Sequence, residues 1–260
     1  MFGWGVALLL LAGLSPSYAA TCMPFAGEQL TFAVNWEFIN GGSAVISYRD
    51  GDTDGYRMIT TARTNKLLDI FKKVRDIITS EAVCIKGQAQ SVSFTLDQHE
   101  RHYRAHKETK FRWREGKVDY TQNHKTDTYS VSAGHLSVMD AFTRVRQLPL
   151  TRGSTIRLPV FDSRKSYLVV VTVGKKTTRL KAPWGGVVEC IAVTPHLKTA
   201  GIFSSRGTMT IWMTNDARHI PLKMRAKIRI GHIVAYLTDY TPPAPDAKGV
   251  MRRSVHDQQQ

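Results

Sequence analysis

Residues 222–230 read Leu-Lys-Met-Arg-Ala-Lys-Ile-Arg-Ile. Leu222, Met224, Ala226, Ile228 and Ile230 fall on one face, and Lys223, Arg225, Lys227 and Arg229 on the other. A period of two marks a strand with one buried face, because successive side chains point to opposite sides of a sheet. A helix would spread both sets around its circumference. The stretch therefore predicts a strand, a core and an exposed cationic ridge. It names no reaction.

The same alternation recurs through the chain. Leu30, Phe32, Val34, Trp36 and Phe38 alternate up to a Gly41-Gly42 turn, and Ala44–Tyr48 and Tyr56–Thr64 continue an antiparallel meander. Further strands are predicted at Lys73–Cys84, Ser91–Tyr103, Lys117–Thr121 and Thr126–Val131. In the second half they fall at Thr155–Phe161, Tyr167–Val173, Thr177–Lys181, Val187–Pro195, Gly207–Thr214 and Ile233–Tyr240. Gly174-Lys175-Lys176 and Trp184-Gly185-Gly186 read as hairpin turns. Leu67, Leu68, Ile70, Phe71 and Val74 briefly suit a helical period, with a bulged strand as the alternative. The clearest helix runs over 137–147, with Val138, Ala141, Phe142 and Val145 at i, i+3, i+4 and i+7. Ser137 suits its N-cap, Asp140 its first turn, and Arg144 and Arg146 its last.

So many strands with one main helix predict a mainly β fold. A flat sheet of that size would leave long edges exposed. The expected form is a large antiparallel, strongly curved sheet or incomplete β-barrel, with the 137–147 helix against its concave face. Residues 20–240 form the expected single domain. Residues 241–260 begin Thr-Pro-Pro-Ala-Pro, end in glutamines and read as a disordered tail.

Gly5–Leu14 is an apolar run of secretory length, too short to span a bilayer, with Pro16 and Ser17-Tyr18-Ala19 after it. Residues 1–19 thus read as a signal peptide cleaved after Ala19. No Lys or Arg precedes the run, which leaves an upstream start codon open. Ala19, Ala20 and Thr21 do not make a lipobox before Cys22, so a soluble periplasmic protein is expected rather than a lipid-anchored one. Three cysteines, Cys22, Cys84 and Cys190, allow one disulfide and one free thiol, and spacing does not choose the pair.

The net charge of +15 draws an exported protein toward anionic surfaces. Export turns that preference from nucleic acid toward envelope lipids and acidic polymers. Two ridges carry it: Lys110, Arg112 and Arg114, and Lys223, Arg225, Lys227 and Arg229. A solvated outer sheet face explains the same residues.

Catalytic motifs are weak. His99, His102 and His106 would share a face only on a helix, and their surroundings read as strand and charged loop, so no metal is expected. There is no Gly-x-Ser-x-Gly elbow, and Ser204-Ser205 near His196 or His219 is generic. Asp76, Asp140, Asp162 and Asp216 would matter for hydrolysis only if they met in one cleft. The glycine pairs lack the context of a phosphate loop, and no cofactor is expected. The apolar strand residues are the other lead. Trp36, Phe38, Phe142, Met209, Ile211, Met224 and Ile228 suit core packing, and equally a greasy cavity in a curved sheet.

Several of these residues together resemble the bacterial domain-of-unknown-function family 3108. The pattern opens at Gly27-Glu28-Gln29-Leu30-Thr31-Phe32-Ala33-Val34-Asn35-Trp36. It continues through Val74-Arg75-Asp76, Asp140 with Arg146, Gly201-Ile202-Phe203, Ile211–Asp216 and Ile220-Pro221. The resemblance covers about residues 27–240. It implies an exported protein of Gram-negative bacteria and supplies no activity. A looser analogy is to periplasmic lipoprotein carriers, whose half-open barrels hold acyl chains under a helical lid. The expectation is a non-enzymatic periplasmic binding protein for a lipid, lipoprotein or other apolar ligand, in contact with anionic envelope components. The alternative is a scaffold without a cavity, and a hydrolase ranks below both.

Overall fold

The computed structural model describes residues 25–51, 54–199, 202–204, 209–228 and 230–244. The expected signal peptide, Cys22, Gly201, Ser205, Arg229 and the segment beyond residue 244 lie outside them. The first half is a meander: β1 (Gln29–Trp36), β2 (Ile39–Asp50), β3 (Gly55–Thr64), β4 (Arg75–Ile85), β5 (Gln88–Glu100), β6 (Tyr103–Arg112), β7 (Lys117–Gln122) and β8 (Lys125–Ser130). The second half holds β9 (Thr155–Asp162), β10 (Lys165–Lys181), β11 (Val187–Thr199), β12 (Ile202–Ser204), β13 (Met209–Thr214), β14 (Pro221–Lys227) and β15 (His232–Thr241). Helix α1 (Lys66–Lys72) links β3 to β4, and α2 (Val138–Gln147) lies between β8 and β9.

All of these strands join one antiparallel sheet. Its order is β8-β7-β6-β5-β4-β3-β2-β1-β15-β14-β13-β11-β10-β9, with β12 beside β11. Pairing of β1 with β15 makes the two halves continuous. The sheet curls into an incomplete barrel, as expected, and its edge strands β8 and β9 do not pair. Instead Leu136 forms a single parallel bridge to Val160, donating to the Pro159 carbonyl (3.0 Å) and accepting from Phe161 (3.0 Å). Phe111, Val118, Val131 and Phe161 pack across the same seam, with Trp113 stacked on Phe111. Covering the seam in this way removes two sheet edges without closing the barrel.

Inward-facing residues form two cores. Leu30, Phe32, Ile46, Tyr48, Met58 and Leu222 belong to one, and Leu158, Val160, Val171, Ile191, Val193 and Met213 to the other. Helix α2 spans both through Phe142. Ser137 caps it by accepting from Asp140 N–H, as its sequence predicts.

Three local expectations are corrected. First, the Leu222–Ile230 strand ends at Lys227. Ile228 N–H donates to the Gly231 carbonyl (3.1 Å), and Gly231 takes φ +77. The chain must reverse here to enter β15, so Ile228 and Ile230 leave the alternation and face solvent. Second, 174–176 is not a hairpin but a bulge within the long β10, where the register to β11 shifts between Val173 and Thr177. Third, Ser91–Tyr103 divides into β5 and β6 at Arg101, a residue with φ +48. Cys84 is disulfide-bonded and Cys190 is a buried free thiol, which burial pushes up to about 11.

Candidate functional site

The barrel has two unlike ends. At one, α2 is tied into the concave face by buried polar groups. Arg146 donates from Nη1 to Glu28 Oε2 (2.6 Å) and from Nη2 to Glu28 Oε1 (2.8 Å). Their side chains are 0% and 1% exposed. Arg146 Nε also donates to the His219 carbonyl (3.1 Å), and its guanidinium lies 3.9 Å from the Phe25 ring centroid. Burial works against the Arg146 charge, but the Glu28 bonds outweigh it and hold its pKa above the usual value. Gly27, at φ +85, turns the chain so that Glu28 points inward. A β-carbon there would meet Ala244 N at 2.9 Å.

Six residues earlier on α2, nearly two turns away, Asp140 is 1% exposed. It accepts from Tyr56 Oη (2.9 Å), Ser91 Oγ (2.5 Å) and Ser137 Oγ (2.9 Å). Ser80 Oγ lies 2.7 Å from Ser137 Oγ, and Tyr48 Oη lies 3.1 Å from Thr143 Oγ1. Burial raises the Asp140 pKa against the pull of these hydroxyls. Burial also raises Tyr56 well above its ordinary range, with the Asp140 charge adding to it. Helix α2 is therefore pinned into this end of the barrel. Displacing it from the concave face would strand each of these groups.

The other end carries α1 and the β1–β2 and β14–β15 turns. An apolar cleft of about 180 Å³ opens there. Val34, Trp36, Leu68, Val74 and Ile233 line it, with the backbone at Gly41-Gly42. The glycines keep it open: a β-carbon at Gly41 would lie 2.8 Å from Leu68 Cδ1. Helix α1 is held over the cleft by Asn65. This residue caps α1 by accepting from Leu68 N–H (3.0 Å) and donates to the Asn40 carbonyl (2.7 Å). Trp36 Nε1 donates to the Ile230 carbonyl (3.0 Å), which joins the β14–β15 turn to the same wall. Asn35, Ser43, Arg63 and Thr64 also border the cleft, and Asn35 Oδ1 is buried without a hydrogen-bond partner among the described residues, but the surface open to a ligand is that of the apolar side chains, which suits hydrocarbon.

A larger, open depression of about 520 Å³ lies on the outer face of β4–β6. Glu81, Glu108, Lys110 and Arg112 line it. Its charges already answer one another: Arg57 pairs with Glu81 (2.7 Å) and Lys110 with Glu108 (3.0 Å). It offers a ligand little that is unsatisfied.

A family model described as a protein of unknown function (DUF3108) matches residues 31–238. The chain belongs to the DUF3108 family. No curated relative matches it. Among solved structures, this DUF3108 protein is similar to a β-barrel-like protein of domain of unknown function DUF1849 from Brucella abortus. The TM-score is 0.57 at 10% identity, over 85% of this chain and 99% of that one. That likeness concerns the fold alone. A protein from Bacteroides fragilis with a YmcC-like fold, proposed to be exported, aligns over 83% of this chain and 96% of its own. Its TM-score is 0.29 at 10% identity, too low for a structural argument.

The structure divides the candidate ligand residues of this DUF3108 protein between the two ends. Trp36 lines the cleft. Phe38 stands at the β1–β2 turn, 97% exposed, and Ile228 is exposed at the β14–β15 turn. Phe142, Met209, Ile211 and Met224 pack in the core beneath α2. The seven do not enclose one cavity.

The cationic ridges are partly committed. Lys110 is paired as above. Arg112 donates to Asp119 (3.0 Å) and to Glu115, and Arg114 is exposed on the turn Trp113–Glu115. Lys223 Nζ sits over Trp212 (5.0 Å) and Tyr236 (5.2 Å), its neighbours across the sheet. Arg225 and Lys227 are exposed.

The titratable candidates scatter. Asp76 accepts from His99 N–H (2.8 Å), His106 pairs with Asp97 (2.6 Å), and Asp216 pairs with Arg218 (2.5 Å). Asp140 lies inside the barrel, apart from them. Among the described residues no group of three or more His, Cys, Asp or Glu side chains could hold a metal ion.

Sequence reasoning missed Leu68, Val74 and Ile233 as cleft residues, and Tyr48, Tyr56, Ser80 and Ser91 as partners of α2. The signal for the first was present. A seven-residue helix carrying Leu67, Leu68, Ile70 and Phe71 has more apolar side chains than one buried face can take. The second had no local signal, because single polar residues on separate strands form no pattern until the sheet is assembled.

Proposed function

We propose that this protein is a non-enzymatic, exported binding module that takes the end of an apolar chain at the α1 cleft. The observation that carries this reading is the apolar, glycine-floored cleft beside Trp36, at the end of the barrel that α2 does not fill. Its size sets the ligand class. Sites for drug-sized ligands run to roughly 300–1,000 Å³, whereas an apolar cavity of about 150 Å³ accepts benzene. A cleft of about 180 Å³ suits the terminal few carbons of an acyl chain, with the remainder lying along the rim. The apolar segment at residues 5–14 supports export, and the disulfide at Cys84 suits an oxidising compartment. Among the described residues no helix is long and apolar enough to cross a membrane.

Titration of the detergent-free protein with decanoate, followed by tryptophan fluorescence and native mass spectrometry, tests this reading. The expected result is saturable binding of one decanoate. Leu68→Glu should abolish it while the thermal midpoint shifts little, because Leu68 is only half-buried on a peripheral helix. Absence of saturable binding to the unsubstituted protein would overturn the proposal.

A further inference from the structure

The open end carries a second feature, independent of whether the cleft holds a ligand. Phe38, Ile39, Leu67, Ile70, Ile228 and Ile230 are all exposed large apolar side chains. Phe38, Ile70 and Ile230 are 97%, 73% and 70% exposed. They come from three separate connections: the β1–β2 turn, α1 and the β14–β15 turn. Those connections are joined by Asn65 to Asn40 (2.7 Å), Trp36 to Ile230 (3.0 Å) and Glu37 N–H to the His232 carbonyl (2.9 Å). Isolated surface apolar residues need no explanation, but clustering on three adjacent tips does.

Charge identifies what the tips meet. Lys66 opens α1 and Lys73 follows it, Lys227 precedes the β14–β15 turn, and Arg101 lies on the β5–β6 turn beside the end of α1, where its N–H donates to the Lys73 carbonyl (2.7 Å). All four are exposed. The acids nearest them are engaged. Asp69 is held by Arg75 (2.6 Å) and Glu37 by His232 (3.0 Å), and these bonds keep both carboxyls below their ordinary pKa. Apolar tips ringed by cations match the layering of an anionic bilayer, with hydrocarbon below and negative head groups at the rim. An anionic protein partner would ask for acceptors opposite the cations, and would not ask for a phenylalanine projecting past them.

We propose that the open end docks on an anionic bilayer, with Phe38 and Ile70 seated at the head-group boundary and Lys66, Lys73, Arg101 and Lys227 on the lipid phosphates. This goes beyond ligand capture: the tips would bind a membrane even if the cleft stayed empty. The orientation places the cleft over the lipid surface.

Co-sedimentation of the full chain with vesicles tests it, using phosphatidylglycerol–phosphatidylethanolamine and pure phosphatidylcholine in parallel. Binding to the anionic vesicles, weakened by salt, is expected. Phe38→Ser with Ile70→Ser should weaken it roughly a hundredfold or more, since burying each such side chain contributes over a decade in affinity. Lys66→Glu with Lys227→Glu should weaken it by a comparable factor, through loss of attraction to the head groups. All four positions are exposed, so circular dichroism should show unchanged folds. Failure of the unsubstituted chain to bind anionic vesicles at low salt would overturn the proposal. So would full retention of binding in the Phe38/Ile70 variant, which would reduce the contact to charge alone. Self-association without lipid, abolished by Phe38→Ser, would overturn it in favour of an interface between two copies of the chain. Decanoate binding that persists without vesicle binding would remove this inference and leave the cleft reading intact.

Discussion

Arg146→Ala should lower the free energy of unfolding by about 3–5 kcal/mol, the usual consequence of leaving one member of a buried ion pair behind. Glu28 would stay in the core with, among the described residues, only Tyr240 Oη, at 3.3 Å, to donate to its side chain. Phe25 would lose the cation stacked on its ring, and the His219 carbonyl its Nε donor. A domain has only about 5–15 kcal/mol in hand, so the variant sits near the limit of folding at 37 °C. Urea unfolding monitored by circular dichroism measures the loss. The double variant Glu28→Leu, Arg146→Met should recover most of it, because apolar groups of similar volume replace a buried pair at little cost. If the double variant is as unstable as Arg146→Ala, the pair does more than neutralise itself.

Asp140→Leu is the second large effect. It leaves the Tyr56, Ser91 and Ser137 hydroxyls buried without their acceptor, each worth about 1–3 kcal/mol when stranded. A total loss of roughly 3 kcal/mol or more is expected, with α2 the element that loosens. Asp140→Asn separates charge from hydrogen bonding, since the amide still accepts one hydroxyl and the serines can rotate to meet it. The pH dependence follows from sign. Burial raises the Asp140 pKa in the folded protein above the ordinary 3.8. The folded state therefore holds the proton more tightly than the unfolded chain. Below both pKa values Asp140 contributes no penalty; as pH rises from about 3.8 through the folded pKa, it costs stability. Unfolding free energies measured at several pH values should show the unsubstituted protein losing ground against Asp140→Asn over that interval. A constant difference would place the charge in a solvated setting.

Much of the fold was legible. Alternation in Leu30–Trp36 and Leu222–Ala226 located strands and their inward faces correctly, because burying one side of a sheet imposes that period on the chain. The i, i+3, i+4, i+7 pattern with its Ser137 cap located α2 to within a residue. The same signal failed where reversal overrode it: Ile228 and Ile230 kept the period but lay beyond the turn that Gly231 enforces. It failed again at Gly174-Lys175-Lys176, where turn-like residues made a bulge, because a long strand in a curled sheet needs a bend more than an end. Glu28 and Arg146 both fall in the resemblance, yet their contact spans 118 residues and is created only by curling the sheet around α2. The ridges Lys110–Arg114 and Lys223–Lys227 include cations committed to Glu108, Asp119 and two aromatic rings; of the exposed cations beside the apolar tips, Lys227 ends the second ridge, whereas Lys66, Lys73 and Arg101 lie on α1 and its neighbouring turns, outside any alternating stretch.

The proposed function divides the barrel into an end filled by α2 and an end at α1 that would take the ligand. Peptide-resolved hydrogen exchange of the full chain, with and without decanoate, tests it most directly. Helix α2 is expected to exchange among the slowest segments in both conditions, while decanoate slows exchange in residues 35–41, 64–74 and 230–233. Ligand-induced protection confined to α2 with an unchanged α1 region, or rapid exchange of α2 in the free protein, would contradict it.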